Sequence, residues 1–340
     1  MLTRELVQDQ FGDMRRIIHR LLFVGLSTVI TVFFSEKAYW HVQGYAYVEL
    51  VLYYAFPVYA CLWTIDTFRV RRLSALVLVA ALYAFLVEGV LTPVLYEAGL
   101  FDLVMPTYFI GWHGLLSVAF GWYGLRKWLV KGQWERVLTF GFLFGLFWGI
   151  WSITWWLPQA FDGPASPDRW SIVDFGLYAF VFTSTLALSH WLLGRGVWPR
   201  EFKPSKVERW IIGLSLVALF ALMVFPVLPV AIVKLVVLLG FVFLGLRAGR
   251  VEEENGLNRT IFSELAGPVK GIHVLALFAM PLAAAGVYAL ATIWQPSESG
   301  IRILLEGIPI VQALVGAGVF LWAIRTELRL RRRVLRSQEV

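Results

Sequence analysis

Five ionisable residues lie inside long apolar stretches of this 340-residue sequence, where their side chains could do proton chemistry within a membrane. A charge at bilayer depth costs about 2.5–3.5 kcal/mol even on the lenient insertion scale, so each of these residues needs a partner or a function. The five are Glu49, Glu88, His113, Lys234 and Glu306.

Glu88 lies deepest. At 1.5 Å per residue, it is about 12 Å of helix away from Tyr96, which marks the predicted outer end of the span. Thr92 stands midway, and this four-residue spacing predicts one polar stripe of Glu88, Thr92 and Tyr96 on a helix face. Pro93 should leave the carbonyl of Gly89 without its helical partner. This concentration of polar groups predicts a binding site for a substrate or a proton.

His113 lies near the middle of the next apolar stretch, at a depth comparable to that of Glu88. A short connection joins the two stretches, so they should be antiparallel neighbours. A carboxyl and an imidazole that meet in a low-dielectric site can share a proton. The sequence therefore predicts a protonatable pair, and the alternative is a buried Glu–His hydrogen bond that only fastens two helices.

Lys234, Glu49 and Glu306 lie closer to the ends of their stretches. Lys234 could extend its ammonium outward along its own apolar stem. The other interpretation is structural, with Lys234 paired to Glu49 or to Glu306. All three remain candidates for binding a substrate or a proton.

Aromatic residues gather at the level of Glu88 and His113. Trp112 adjoins His113, and Trp148 and Trp151 lie near one face of a later stretch. Such stripes are more often packing than a ligand cage. If they line a cavity with Glu88, it would suit an apolar, cationic or ring-bearing solute.

The composition indicates the class of protein, and hence the kind of secondary structure, to which these residues belong. The chain is 59% hydrophobic and 16% charged, with a mean hydropathy of +0.70. Soluble domains carry about 25% charged residues, so this composition excludes that class and predicts an all-α integral membrane protein. One cysteine excludes a disulfide framework and a multi-Cys metal site. We expect no metal and no cofactor. The sequence has no Walker loop, so we also expect no nucleotide hydrolysis.

Apolar stretches of about 20 residues predict membrane-spanning helices. The chain is a single transmembrane domain, 1–340, with an amphipathic N-terminal helix over 1–19 and a basic tail over 326–340. Between them, residues 20–325 form a polytopic bundle of ten predicted transmembrane helices, at 20–36, 45–66, 73–96, 103–124, 137–158, 172–194, 208–225, 228–247, 271–294 and 303–325.

The charges agree with ten spans. Lys and Arg fall in alternate connections, with the exceptions Lys37, Arg169, Lys234 and Arg302. By the positive-inside rule, both termini are cytoplasmic, and the protein is a multi-pass protein of the cell membrane. The net charge of +7 is spread over short connections, where it meets membrane lipids, so we expect no nucleic acid partner.

The ten-span layout with short loops resembles that of drug/metabolite transporters, which implies a secondary transporter of a small solute. Glu88 and His113 would link that transport to protons. One alternative is a membrane-embedded enzyme acting on a lipid or isoprenoid, with Glu88 as general acid. The other is a non-catalytic subunit of a membrane complex. The sequence favours the transporter and assigns no catalytic residue.

Overall fold

A computed structural model describes residues 2–40, 46–99, 101–157, 169–250 and 260–338, with side chains described between 14 and 332. Every regular element in these ranges is a helix. The α-helices are α1 (Leu2–Val32), α2 (Ala46–Thr67), α3 (Leu73–Leu86), α4 (Val104–Phe109), α5 (Leu125–Val130), α6 (Trp134–Ser152), α7 (Ile172–Leu192), α8 (Lys206–Met223), α9 (Ala231–Arg250), α10 (Ile261–Leu265), α11 (Gly271–Leu275), α12 (Ala279–Trp294) and α13 (Glu298–Gln338).

Within the part of the chain that the structure describes, eight helical stretches are long and apolar enough to cross a membrane, which is compatible with a multi-pass membrane protein. The other two predicted spans, 103–124 and 208–225, also fall on helix: the first on α4 and the π-helix that follows it, the second on α8. The eight are Met14–Lys37, Ala46–Thr67, Leu73–Leu91, Trp134–Trp156, Ile172–Val197, Ala231–Arg250, Gly271–Trp294 and Glu298–Arg332.

The predicted boundaries need three corrections. The predicted N-terminal helix 1–19 and the first span form one helix, because α1 runs without a break from Leu2 to Val32; its side chains before residue 14 lie outside the described part. The span predicted to reach residue 96 ends at Leu91. The basic tail continues α13 as far as Gln338.

The seventh and eighth predicted spans are separate helices, as the prolines between them indicate. Helix α8 ends at Met223 and α9 begins at Ala231. Pro226 and Pro229 lie in this gap, where each lacks the backbone donor that a continuing helix would need.

Helix α3 forms the centre of the bundle. In its most apolar window 94% of the residues are buried, against 17% in that of Glu298–Arg332. A helix that is apolar all round is buried on every side. Helices α2, α9 and α13 and the π-helix Ile110–Gly124 pack around it.

Three π-helical stretches continue helices that surround the site described next. Phe33–Lys37 continues α1, Val87–Leu91 continues α3, and Ile110–Gly124 continues α4. π-Helices are rare and often occur at functional sites, because the wider turn re-aims side chains. Each of the three contributes one residue to the site described next: Glu36, Glu88 and His113.

Glycines bring two helix pairs into close approach, which the small-residue spacing of Gly141, Gly145 and Gly149 predicts for α6. A Cβ added at Gly145 would lie 2.3 Å from the carbonyl oxygen of Met280 in α12. In α13, a Cβ at Gly316 would lie 1.9 Å from the carbonyl oxygen of Thr107. Close backbone approach of this kind is typical of membrane helix bundles.

Candidate functional site

The structure brings Glu88 and His113 together. His113 Nε2 lies 2.5 Å from Glu88 Oε1, and both residues are buried. Thr92 donates its hydroxyl to the other carboxylate oxygen of Glu88 at 3.0 Å. Trp112 stacks on the imidazole ring, with 4.4 Å between ring centroids. This pair, with Thr92 and Trp112 around it, is the centre of the candidate site.

Glu36 is the third ionisable residue of the site, and the sequence analysis missed it. It lies in the π-helical turn after α1, and the hydroxyl of Tyr54 in α2 donates to its carboxylate. One ligand atom each of Glu36, Glu88 and His113 lie within 4.8 Å of one another. The predicted first span ends at residue 36, and an acidic residue at that position is typical of a membrane boundary. The sequence therefore carries no sign that Glu36 belongs to a site.

Two carboxylates and an imidazole have the composition of a metal site, but the distances are those of a shared proton. Ligand atoms around one Zn²⁺ lie at about 2.1 Å from the ion and hence about 3.4 Å from each other. The 2.5 Å between Glu88 and His113 is a direct hydrogen bond. In this arrangement Glu88 and His113 bind each other directly rather than a shared ion.

A cavity of about 690 Å³ opens from this centre towards the predicted outer surface. Glu88 lies at its buried end, and the exposed Glu97 lines it elsewhere. Tyr53 and Met223, both about half exposed, line it on the side that faces away from the bundle. The described lining residues are Glu36, Trp40, Leu50, Tyr53, Tyr54, Glu88, Leu91, Thr92, Val94, Glu97, Met105, Tyr108, Phe109, Trp112, Leu219 and Met223.

Buried hydroxyls continue from the site towards the opposite end of the bundle. Ser35 lies 3.1 Å from the hydroxyl of Tyr83 and 2.8 Å from that of Ser117, and all three residues are fully buried. Ser117 follows His113 by one turn. Next to this group, Thr31 and Tyr83 line a small cavity of about 20 Å³ whose other described lining residues are mostly apolar.

One turn further along α1, Thr28 and Ser27 are fully buried as well. Trp122 donates its indole N–H to the hydroxyl of Ser27 at 3.0 Å. From Ser35 to Ser27 the helix rises by about 12 Å. We call Ser27, Thr28, Thr31, Ser35, Tyr83 and Ser117 the hydroxyl file.

Tyr96 does not join Glu88 on one helix face, and this part of the sequence prediction is wrong. The α3 helix widens into a π turn, Thr92 N–H donates to the carbonyl of Val87 at 3.3 Å, and Thr92 itself is extended. Tyr96 instead donates its hydroxyl to the carbonyl of Gly89 at 2.8 Å. It thereby satisfies the carbonyl that Pro93 was predicted to leave free.

Lys234 binds backbone rather than a carboxylate. Its ammonium donates to the carbonyl oxygens of Leu95 at 2.9 Å and Gly99 at 3.0 Å, and the side chain is buried. Glu49 and Glu306, the two predicted partners, are exposed and do not line the cavity among its described residues. Lys234 therefore holds the loop that covers the edge of the site.

Trp148 and Trp151 belong to the packing behind the site. Trp148 is fully buried against Phe33, with ring centroids 5.4 Å apart. Trp151 donates its indole N–H to the carbonyl of Tyr39 at 2.8 Å. Of the predicted tryptophans, Trp112 is the one that lines the cavity.

These features define the chain as an all-helical protein with the composition of a multi-pass membrane protein, with a polar site inside the bundle. Searches against protein-family models, curated proteins and solved structures found no match.

Proposed function

We propose that this protein is a proton-linked secondary transporter of a small solute in the cell membrane. The observation that carries the proposal is the hydrogen bond between Glu88 and His113 at the buried end of the 690 Å³ cavity. Ionisable groups inside a membrane bundle commonly mark solute or proton pathways. The cavity supplies the solute site, and the pair supplies a proton site in contact with it.

Competition for negative charge links the two sites. Glu36 and Glu88 both face the cavity, and two carboxylates this close repel each other when both are ionised. A proton on the Glu88–His113 pair relieves that repulsion, and so does a solute that brings positive charge or hydrogen-bond donors to the carboxylates. Entry of one therefore favours departure of the other, which is the requirement for exchange.

The hydroxyl file supports a route for the proton. Hydroxyl groups can pass a proton along hydrogen bonds, whereas the surrounding apolar side chains cannot. Ser35 is bonded to Tyr83 and Ser117 in this way, and the hydroxyls of Thr31 and Thr28 donate to backbone carbonyls of α1. The file begins beside His113, at Ser117, and runs along α1 away from the cavity. A lipid enzyme would need a general acid but no such extended file, so this feature favours transport.

The second candidate is an enzyme acting on a lipid or isoprenoid, with Glu88 as general acid. The half-exposed lining residues Tyr53 and Met223 favour it, since a membrane-dissolved substrate could reach the cavity past them. The two functions differ in whether the bound molecule leaves chemically unchanged.

The test uses proteoliposomes that contain a pH-sensitive dye and are supplied with a panel of small aromatic and aliphatic solutes. Glu88→Gln keeps the shape of the side chain and a hydrogen bond to His113 but removes the titrating group. We expect wild-type protein to move protons when a solute is added, and Glu88→Gln to remain folded while losing that movement. Glu306→Gln, an exposed carboxylate outside the cavity, is the matched control and should behave as wild type.

Two results would contradict the proposal. Normal solute-driven proton movement in Glu88→Gln, together with unfolding of Glu88→Leu, would make Glu88 a structural fastener. Recovery of a chemically altered lipid from the liposomes, without proton movement, would establish the enzyme instead.

A further inference from the structure

We propose that the cavity binds an organic cation that carries an aromatic or apolar group, and that Glu36 is its counterion. This inference rests on the proposed function in taking the cavity as the solute site. It adds the chemical class of the solute, which the Glu88–His113 pair does not determine.

The charge of the lining points to a cation. Glu36, Glu88 and Glu97 line the cavity, and none of the described lining residues is Lys or Arg. Of the basic groups nearby, His113 binds Glu88, the Lys37 ammonium lies over the ring of Phe182, 4.1 Å from its centroid, and Lys234 binds backbone carbonyls. An anionic solute would meet repulsion here, and a cation would meet attraction.

Glu36 is the carboxylate best placed to be the counterion. Glu88 is bound by His113 on one oxygen and by Thr92 on the other. Glu36 is partly buried, is bound by Tyr54, and lines the cavity. A buried carboxylate is strongly stabilised by an opposite charge at short range, because the low local dielectric strengthens the attraction.

Aromatic residues form the walls on which a cation would rest. Trp40, Tyr53, Tyr54, Tyr108 and Phe109 line the cavity. An ammonium group within about 6 Å of such a ring is attracted to the face of the ring, and Trp gives the strongest attraction. The remaining lining is largely aliphatic or Met, which suits the apolar part of an organic molecule rather than the hydration shell of a metal ion.

The size of the cavity agrees with an organic molecule. Sites for drug-sized ligands have volumes of about 300–1,000 Å³. At 690 Å³, this cavity is far larger than one inorganic ion requires. Negative charge, aromatic walls and volume together define the class as a hydrophobic organic cation.

The test measures equilibrium binding to the purified full-length protein in detergent, by calorimetry, without a proton gradient. The probe is benzyltrimethylammonium, and its control is neopentylbenzene, in which carbon replaces the charged nitrogen at nearly the same shape. We expect wild-type protein to bind the cation at least tenfold more tightly than the uncharged isostere. Equal affinity for the two would overturn the proposal without any variant being needed.

Glu36→Gln then assigns the counterion, because it keeps a hydrogen-bond acceptor for Tyr54 and removes the charge. We expect it to lose the preference for the cation while its affinity for the isostere stays unchanged. Glu49→Gln, an exposed carboxylate of α2 outside the described lining, should keep the preference. An undiminished preference in Glu36→Gln would overturn Glu36 as counterion, and Trp40→Leu should weaken cation binding severalfold in a protein that keeps all its charges.

Zn²⁺ added alone provides a third arm. Tight stoichiometric binding that Glu36→Gln and His113→Ala both abolish would make the site a metal site and overturn the organic cation. Failure of the transporter is distinguishable from failure of this inference. Cation binding without proton movement would contradict transport alone, whereas proton movement driven equally well by an uncharged solute would contradict the cation alone.

Discussion

At the scale of single residues, Glu36 and Glu88, two of the carboxylates that line the cavity, differ in their hydrogen-bond partners as well as in their burial. Glu88 makes hydrogen bonds to both His113 and Thr92, whereas Glu36 receives one from Tyr54. A carboxylate whose two oxygens are already bound is suited to hold and release a proton. One that retains capacity towards a cavity is suited to meet a charged solute.

Ser117 tests whether the hydroxyl file carries protons. Ser117→Ala removes the hydroxyl that is hydrogen-bonded to Ser35, one turn after His113. The loss of this one hydrogen bond should lower the free energy of unfolding by about 1 kcal/mol. We expect solute-driven proton movement to slow at least fivefold, while the affinity for benzyltrimethylammonium stays unchanged because Ser117 does not line the cavity among its described residues.

The matched control is Ser189→Ala. Ser189 is also buried, but its hydroxyl donates to the carbonyl of Thr185 within its own helix, away from the file. Equal rates in both variants would mean that the file contributes only packing. Rates are read from the internal dye, and thermal unfolding is measured alongside to confirm that both variants are folded.

At the scale of the helices, the sequence indicates where Glu88 and His113 lie along their helices but not the pitch of those helices. Apolar residues surround both positions on every side, so no periodic pattern distinguishes a π turn from an α turn. The predicted stripe through Tyr96 failed for this reason. Pro93 did indicate a free carbonyl at Gly89, because that effect depends on a single missing donor rather than on periodicity.

Glu36 was missed for a related reason. Hydropathy places the end of a span only to within a few residues, and a charged pair such as Glu36 and Lys37 is a normal boundary signal. In the structure, Lys37 is fully buried and lies against the rings of Tyr47 and Phe182. The capture of Lys37 by aromatic rings on other helices depends on tertiary packing, which one sequence does not reveal.

Gly316 tests how the close approach of α13 to α4 supports the site. A Cβ there would lie 1.9 Å from the carbonyl oxygen of Thr107 and 2.7 Å from the backbone nitrogen of Gly111. Backbone atoms cannot move away without separating the helices, so Gly316→Ala should destabilise the protein by about 1–3 kcal/mol. It should also weaken cation binding, because Gly111 lies in the same π-helix as His113.

Gly318→Ala is the internal control for that change. The same helix carries Gly318 one half-turn away, where an added Cβ meets nothing within 4 Å. Its effect on stability should stay within about 0.5 kcal/mol, as for most exposed substitutions. If thermal unfolding in detergent gave equal values for the two variants, the α4–α13 approach would not be tight in the membrane.

At the scale of the whole molecule, the open question is whether 103–124 and 208–225 cross the membrane in addition to the eight apolar helices. The charges favour ten spans. If neither segment crossed, the connections between them would change sides. Two groups of basic residues, each in one connection, would then lie outside, against the positive-inside rule. These groups are Arg126, Lys127, Lys131 and Arg136, and Arg195, Arg200, Lys203, Lys206 and Arg209.

Reporter fusions decide between the two arrangements, because both place the termini on the same side and differ only between the two segments. With ten spans, we expect fusions after residues 100, 165, 227 and 298 to read as extracytoplasmic, and those after 70, 131, 202, 255 and 340 as cytoplasmic. With eight spans, the fusions after 131 and 202 become extracytoplasmic and the fusion after 165 becomes cytoplasmic.

The measurement uses two reporters at each position: a phosphatase that is active only outside the cytoplasm, and a fluorescent protein that matures only inside. The two reporters give opposite signals at each position. A cytoplasmic signal at 165 would contradict the ten-span arrangement. It would also put His113 on a helix that enters and leaves the membrane on the predicted outer side. Ser117 lies on the same helix, so the hydroxyl file would then no longer be bordered by a helix that crosses the bilayer.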